Sequence, residues 1–455
     1  MWNPIVTISG LRGLVNFSFE QPALQYVDSF LELLPKTPKT IVLGYDGRQS
    51  GCAFRPLIEQ LIRRHGFTPR NLEVAPTPLV GFAAQSEDVV GGVQITASHN
   101  TSEYNGIKLF DGTGRVISGQ MGAAVLSRYQ EKMSSRKWID IYTLMFSKSE
   151  PLYEQALPQY VNRVLKTVGV SAIKKRRFRV LLDSNNGSGS VAKSLLERLN
   201  CDFTILGPDQ NGKFLHTPEP TERNLKSVCH EVAERGCDIG FCQDPDADRL
   251  AIIDASGRYV GEEYTVALCI RRALQKRKGN VVINCASSQM SEDIARGAGF
   301  ECFRSSVGEA NVVDMMKAIG AVYGGEGNGG PIDPKVGYVR DSFVGIAQIL
   351  DLMATSGKTI AQLVDEIHSY QIVKTKFQFP MEKLPELYRQ VAEQFPKDQI
   401  CRDDGLRLSN EDSWLLVRPS NTEPLVRVIA EAPFKGRAVS LCDRVAEIAE
   451  KIEEN

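Results

Sequence analysis

The sequence predicts an α/β protein of four domains, the first three sharing one mixed α/β topology and the fourth a smaller α+β unit. Three observations carry this prediction. The chain has 455 residues, more than one hydrophobic core covers, because cores stop growing at roughly 250–300 residues. One local plan, a β-rich run followed by a Gly/Ser turn and an amphipathic helix, recurs three times. Near residue 370 the texture changes to short stretches of alternating apolar and polar residues.

The recurring plan is explicit in "KTIVLGYDGRQSGCAFRPLIEQLIRRHGF" (39–67), "FRVLLDSNNGSGSVAKSLLERLNCDF" (178–203) and "GNVVINCASSQMSEDIARGAGFECF" (279–303). Strands alternating with helices at this spacing imply βαβ units and mainly parallel sheets. Each unit then reaches a further β-rich or glycine-bounded run that empties into a polar loop. The loops end "VGGVQITASHN" (90–100), "CDIGFCQDPDADR" (237–249) and "AVYGGEGNGG" (321–330). Similar hairpins, "IKLFDGTGRVIS" and "LAIIDASGRYVG", follow the first two. Such internal repetition points to three units of common ancestry. Each presents a loop at the carboxyl end of a strand, where ligands of open α/β sheets bind. The expected domains are 1–150, 151–255, 256–370 and 371–455. In the last, "LVRVIAEA" alternates as a half-buried antiparallel strand does.

Composition excludes several classes of partner. Net charge is −1 with pI near 6.6, and the charges are interspersed, so there is no basic stripe for nucleic acid. The ten cysteines form no CxxC pair and no Cys/His cluster, the usage of a cytosolic protein with reduced thiols. The N-terminus lacks a charged stretch followed by an apolar one, and no apolar run reaches the ~20 residues of a membrane span. A soluble, cytoplasmic protein is expected. Nothing in the sequence specifies an oligomeric state.

Four loops carry candidate chemistry. In "DPDADR", Asp244, Asp246 and Asp248 alternate, so an extended loop turns their carboxylates to one side. Like charges that close repel unless a cation joins them, and an all-oxygen set suits Mg²⁺. An exposed acidic turn is the ordinary alternative; the position at a strand end favours metal. Arg249 then balances charge or holds a phosphate. Ser98, in the first loop, is by itself a helix cap or turn residue. It becomes a nucleophile only with a base or metal beside it, and the acidic loop at the matching point of the next repeat supplies that metal. His99 and Lys108 are nearby donors. In the third loop Glu326 and Asn328, a carboxylate beside an amide, suit vicinal sugar hydroxyls, although a flexible hairpin explains the glycines equally well. In "RPSNTEP", Arg418, Ser420, Asn421 and Thr422 surround a tight turn and offer a phosphate nest.

Together these strings resemble the α-D-phosphohexomutase family. The matching pieces are "SGLRG", "TASHNTSEYNGIKLF", "PEPTERNL", "DPDADR", "GEGNGG" and "RPSNTEP", in the family order and spread over the chain. The resemblance implies four domains around a central cleft and an isomerase that interconverts hexose 1-phosphate and hexose 6-phosphate. It implies that Ser98 is carried as phosphoserine and that Asp244, Asp246 and Asp248 hold one Mg²⁺ per chain together with a phosphoserine oxygen. Glu326 and Asn328 would grip sugar hydroxyls, while Arg418, Ser420, Asn421 and Thr422 would hold the idle phosphate. Arg12, His99, Asn100, Lys108 and Arg249 match positions that support the phosphoserine or proton transfer. Hexose 1,6-bisphosphate would be the intermediate and activator, and the sugar phosphate the only partner implied.

The sequence also departs from the commonest family pattern. A histidine frequent in the sugar loop falls here near Gly330, which leaves Lys108 as the expected general base, its pKa lowered by neighbouring cations. "VGEANVV" and the Glu-x-Asn-Gly-Gly loop resemble a branch often named phosphoglucosamine mutase, with phosphomannomutase and phosphoglucomutase as alternatives. A Mg²⁺-dependent sugar phosphatase and a non-catalytic sugar-phosphate sensor are the remaining readings.

Overall fold

A computed structural model of the chain describes residues 4–7, 10–16, 19–136, 138–145, 156–395, 399–420 and 425–454. The threefold repeat is present in the sheets. In the first unit, Thr40–Tyr45 lies between two parallel neighbours, Thr68–Val74 and Val89–Ile95, and Tyr104–Asp111 returns antiparallel beside Val89–Ile95. The second unit repeats this with Arg179–Asp183 between Asp202–Leu206 and Ile239–Gln243, and with Leu250–Asp254 returning. The third places Val281–Asn284 between Cys302–Ser305 and Tyr323–Glu326, with Gly330–Ile332 returning. Every unit is therefore three parallel strands plus one antiparallel strand, less purely parallel than the sequence suggested. The turn from the third strand to the returning strand carries the candidate loop in all three.

The repeat follows from the residues. Ile239–Gln243 and Leu250–Asp254 are buried along their whole length, as strands covered by helices on both faces must be, which explains their continuous apolar runs. Two further strands, Ile5–Thr7 and Gly10–Leu14, extend the first sheet antiparallel to Tyr104–Asp111. They bring Arg12 beside the Ser98 loop. The second sheet ends on the short edge strand Tyr259–Gly261, beyond the boundary expected at 255. This strand is three residues long, and helix Glu262–Lys276 opens the third unit directly after it.

The fourth unit is an antiparallel sheet of five strands with helices Leu384–Gln394 and Lys435–Glu454 sharing its core. One apolar core, including Val80, Tyr160, Leu250 and Phe343, runs through the first three units. The fourth has its own, around Leu387, Leu406, Val426 and Val445. Polar contacts join it to the third: Val307 N donates to Asp404 Oδ2 at 2.8 Å and Gln289 N to Glu431 Oε1 at 2.8 Å. A cavity of about 820 Å³ opens where the second, third and fourth units meet. All ten cysteines are free, eight of them buried or half-buried and Cys52 and Cys401 exposed. Among the described residues no helix is long and apolar enough to cross a membrane.

Candidate active site

Strand Val89–Ile95 runs out at Thr96, and two residues later Ser98 takes a left-handed backbone conformation, φ 51°. A non-glycine residue holds that region only when its surroundings over-determine it. Here they do. Ser98 N donates to Thr96 Oγ1 at 2.8 Å, and Arg48 donates to the Ser98 and Asn100 carbonyls, both at 2.7 Å, and to the Tyr104 carbonyl at 3.2 Å. Arg48, 1% exposed, is itself oriented by Asp46 Oδ2 at 2.9 Å. The side chain of Ser98 is thereby aimed at the second unit, and its Oγ donates to Asp244 Oδ2 at 2.9 Å.

The acidic loop is fully buried. Asp244, Asp246 and Asp248 are each 0% exposed and present oxygens within 4.8 Å of one another. The first unit reaches across to them. Thr77 Oγ1 donates to Asp246 Oδ2 at 2.6 Å, and the Lys108 ammonium bridges Asp246 Oδ2 and Asp248 Oδ2 at 2.6 and 2.5 Å. Lys108 is placed there by the hairpin register that sets it opposite Gln94. Burial lowers its pKa, but the two carboxylates outweigh burial and raise it above the ordinary lysine value. The expectation of a Lys108 pKa lowered by neighbouring cations is thus overturned, because its nearest charges are acids. Burial and repulsion from Asp246 and Asp248 drive the Asp244 carboxyl well above its usual range. Asp246 Oδ1 and Asp248 Oδ1 are buried without a hydrogen-bond partner among the described residues. Convergent hard oxygens with unspent lone pairs fit a divalent cation such as Mg²⁺.

The other expected donors surround this centre. Arg249 N donates to Asp244 Oδ1 at 3.1 Å, with its Nε 3.9 Å from Asp244 Oδ2. Arg12 Nη1 donates to Asn100 Oδ1 at 2.8 Å, and burial together with Arg249 lowers Arg12 to about 10. His99 Nδ1 lies 3.4 Å from Ser98 Oγ. Burial, then Arg249 and Arg12, push His99 well below the usual histidine pKa, so the imidazole is neutral.

The sugar loop holds a surprise. Glu326 is 3% exposed and both of its oxygens are engaged: Oε1 accepts from Asn284 Nδ2 at 2.8 Å and Gly308 N at 3.0 Å, and Oε2 accepts from Arg340 Nη1 at 2.8 Å. Glu326 is thereby held in a fixed orientation by its own unit. Arg340 continues to Asp248 Oδ2 at 2.7 Å and to Glu309 Oε2 at 3.3 Å, so one guanidinium links the acidic trio to the sugar loop. Asn328 Oδ1 is buried and unpartnered among the described residues. In the fourth unit Arg418 pairs with Asp404 Oδ1 at 3.1 Å, and Ser420 N donates to the Leu425 carbonyl at 2.8 Å. Asn421 and Thr422 lie outside the described residues.

Arg48, Thr77, Arg340 and Glu309 escaped the sequence reading. The local signals were "YDGR", which reads as a turn, Glu309 within "VGEANVV", and an arginine just before the helix-capping Asp341.

Four family profiles match most of the chain. The phosphoglucomutase/phosphomannomutase alpha/beta/alpha domains I, II and III match residues 5–136, 158–257 and 262–370, and the C-terminal domain matches 371–448. The chain belongs to the phosphoglucomutase/phosphomannomutase family. These α-D-phosphohexomutases are isomerases, and this chain is one of them. Over 439 residues it is 33% identical to the phosphoglucomutase/phosphomannomutase of Thermococcus kodakarensis, covering 94% of each chain. It is 29% identical over 450 residues to a protein of Sulfurisphaera tokodaii named phosphoglucosamine/phosphogalactosamine mutase, covering 97% of this chain and 98% of that one. A solved family member from Burkholderia thailandensis shares the fold, with a TM-score of 0.82, 23% identity and coverage of 99% and 97%.

Proposed function

We propose that this phosphohexomutase moves a phosphoryl group between the 1- and 6-positions of a hexose through Ser98, with an amino-hexose phosphate as the best candidate substrate. The observation that carries the reading is the 2.9 Å contact between Ser98 Oγ and Asp244 in a buried carboxylate trio. The name of the Sulfurisphaera relative supports the choice of sugar.

When bound by Asp244, Asp246, Asp248 and an oxygen on Ser98, Mg²⁺ would supply positive charge to the phosphoryl oxygens as they pass between acceptors. The protein's own groups do the rest. Starting from phosphoserine, the bond between phosphorus and Ser98 Oγ breaks, a new one forms to the free sugar hydroxyl, and the proton that hydroxyl loses ends on Ser98 Oγ. The hexose is then a 1,6-bisphosphate; it turns over in the cleft, and its other phosphate returns to Ser98 Oγ. Lys108, ion-paired with Asp246 and Asp248, adds a positive charge beside the transferring group. Neutral His99, with Nδ1 near Ser98 Oγ, is placed to hold the proton at that oxygen. Arg12 and Arg249 add charge around the transferring group, where most of the catalysis of such transfers arises. Asn328 offers its unpartnered oxygen to the sugar. Arg418, oriented by Asp404, with Ser420, Asn421 and Thr422, takes the idle phosphate. The separate core of the fourth unit allows it to close over the sugar and exclude water.

The test is to incubate a hexose 1-phosphate with enzyme, Mg²⁺ and a trace of hexose 1,6-bisphosphate and follow both phosphorus species by NMR. The 6-phosphate should accumulate without inorganic phosphate, and Ser98→Ala should stop it. Free phosphate with no isomer identifies a phosphatase, and unchanged turnover in Ser98→Ala removes Ser98 from the mechanism.

A further inference from the structure

One small polar residue recurs at the same place in each α/β unit. Asp46 follows Thr40–Tyr45, Asp183 ends Arg179–Asp183 and Asn284 ends Val281–Asn284. In every unit this is the carboxyl end of the strand with parallel neighbours on both sides. All three are buried, at 0%, 0% and 5% exposed. Each accepts from the amide two residues on: Arg48 N at 3.3 Å, Asn185 N at 3.1 Å and Ala286 N at 3.0 Å. The repeat thus keeps one Asx turn in three copies.

The copies differ in what the turn residue holds with its second polar atom. Asp46 Oδ2 accepts from Thr96 Oγ1 at 2.6 Å, and Thr96 in turn holds the amide of Ser98. Asp183 Oδ2 meets His216 Nε2 at 2.8 Å. Both partners can donate, so a carboxylate serves. In the third unit the partner is itself a carboxylate, Glu326, whose Oε1 lies 2.8 Å from Asn284 Nδ2. A side chain there must accept at the turn and donate beyond it, and the asparagine amide does both. Ser287 Oγ also donates to Asn284 Oδ1, at 2.9 Å, so two donors on Oδ1 fix which way the amide faces. The same hydroxyl accepts from Gly327 N at 2.8 Å. Asn284 therefore holds two consecutive residues of the sugar loop, one directly and one through Ser287. The next residue is Asn328, with its buried oxygen unpartnered among the described residues.

We propose that Asn284 is a positioning residue for the sugar loop, setting hexose phosphate affinity through Glu326 and, by way of Ser287, through Gly327. The inference rests on the proposed role of residues 326–328 at the sugar.

Steady-state kinetics of the whole protein test this. Asn284→Asp keeps the acceptor of the turn and sets a second carboxylate against Glu326, while Arg340 stays on the other oxygen of Glu326. Of two carboxyl groups sharing a site, one keeps its proton well above the usual range, and that proton restores the missing donor. Relative to wild type, KM for a hexose 1-phosphate should rise about tenfold at about pH 9, the scale of one lost charge-assisted hydrogen bond. It should return towards wild type at about pH 6, with kcat and Mg²⁺ affinity little changed. Ser287→Ala, which frees Gly327 N, should raise KM at every pH. A KM ratio for Asn284→Asp that stays at unity, or that does not vary with pH, overturns the proposal. So does an unchanged KM in Ser287→Ala, which decides alone if Asn284→Asp does not fold. Asn328→Ala separates the two readings. A raised KM there, with no effect at 284 or 287, refutes the positioning role by itself; an unchanged KM removes the loop from the sugar and the proposal with it.

Discussion

Ser98 Oγ and Asp244 Oδ2 meet at 2.9 Å although 146 positions of chain separate them. The hydroxyl belongs to the first unit and the carboxylate to the second, and two further crossings, Thr77 to Asp246 and Lys108 to Asp246 and Asp248, hold the same seam. The hydroxyl proposed to carry the phosphoryl group is thus fixed against the carboxylate trio by docked folding units, not by a flexible tether.

Removing the metal should silence the protein without unfolding it. Lys108 and Arg340 already offset part of the trio's charge, so a chelator should abolish turnover and leave the circular dichroism spectrum unchanged. Saturating Mg²⁺, at about 100 times its Kd, should add about 2.7 kcal/mol of stability by mass action. Asp246→Asn should lose both the activity and the Mg²⁺-dependent rise in melting temperature.

Arg48 should act as a positioning residue. Arg48→Met leaves Asp46 buried without its cation and frees the carbonyls of Ser98 and Asn100. A cost of about 3–5 kcal/mol in denaturant unfolding is expected, the scale for breaking a buried pair. Arg48→Lys, which keeps the charge, should stay folded yet lower kcat about 100-fold with KM little changed, since a misplaced reacting group is penalised on that scale.

Arg340 should couple the two halves of the site. Its fork reaches Asp248 and Glu326 together, and a lysine point charge reaches only one of them. In Arg340→Lys, kcat/KM should fall about 100-fold. The Mg²⁺ affinity measured by titration should also lose its dependence on bound sugar phosphate; an unaltered dependence would place the coupling elsewhere.

A pH-dependent contribution to stability is expected from His216, whose Nε2 lies 2.8 Å from Asp183 Oδ2. Burial lowers its pKa, but the bond to Asp183 outweighs burial, and the folded value is raised above 6.5. The pair's stabilisation is therefore complete below pH 6.5 and is lost as pH rises through the folded pKa. Urea unfolding of His216→Gln against wild type should show a deficit of about 2 kcal/mol at pH 6 that shrinks by pH 9.

The sequence revealed what is written in contiguous strings. The loops "TASHN", "DPDADR" and "GEGNGG" each sit in one turn, and the threefold recurrence of strand, turn and helix disclosed the common topology. What it hid are the partners that docking delivers. Arg340 stands 92 positions from Asp248, and Thr77 stands 169 from Asp246. The sign of the Lys108 shift was illegible for the same reason, since only the hairpin register shows which charges its ammonium meets. Glu431 sits in a strand whose alternation suggested half-burial, and it is buried because the third unit covers it at Gln289.

The three α/β units carry unlike chemistry on the same turn: a hydroxyl in the first, acids in the second, a glycine-bounded amide in the third. Duplication therefore supplied a scaffold whose copies could specialise only jointly, since no single copy holds a complete set of reacting groups. On refolding, helical signal should return as each unit forms, and turnover should lag behind it until the seams between them have closed.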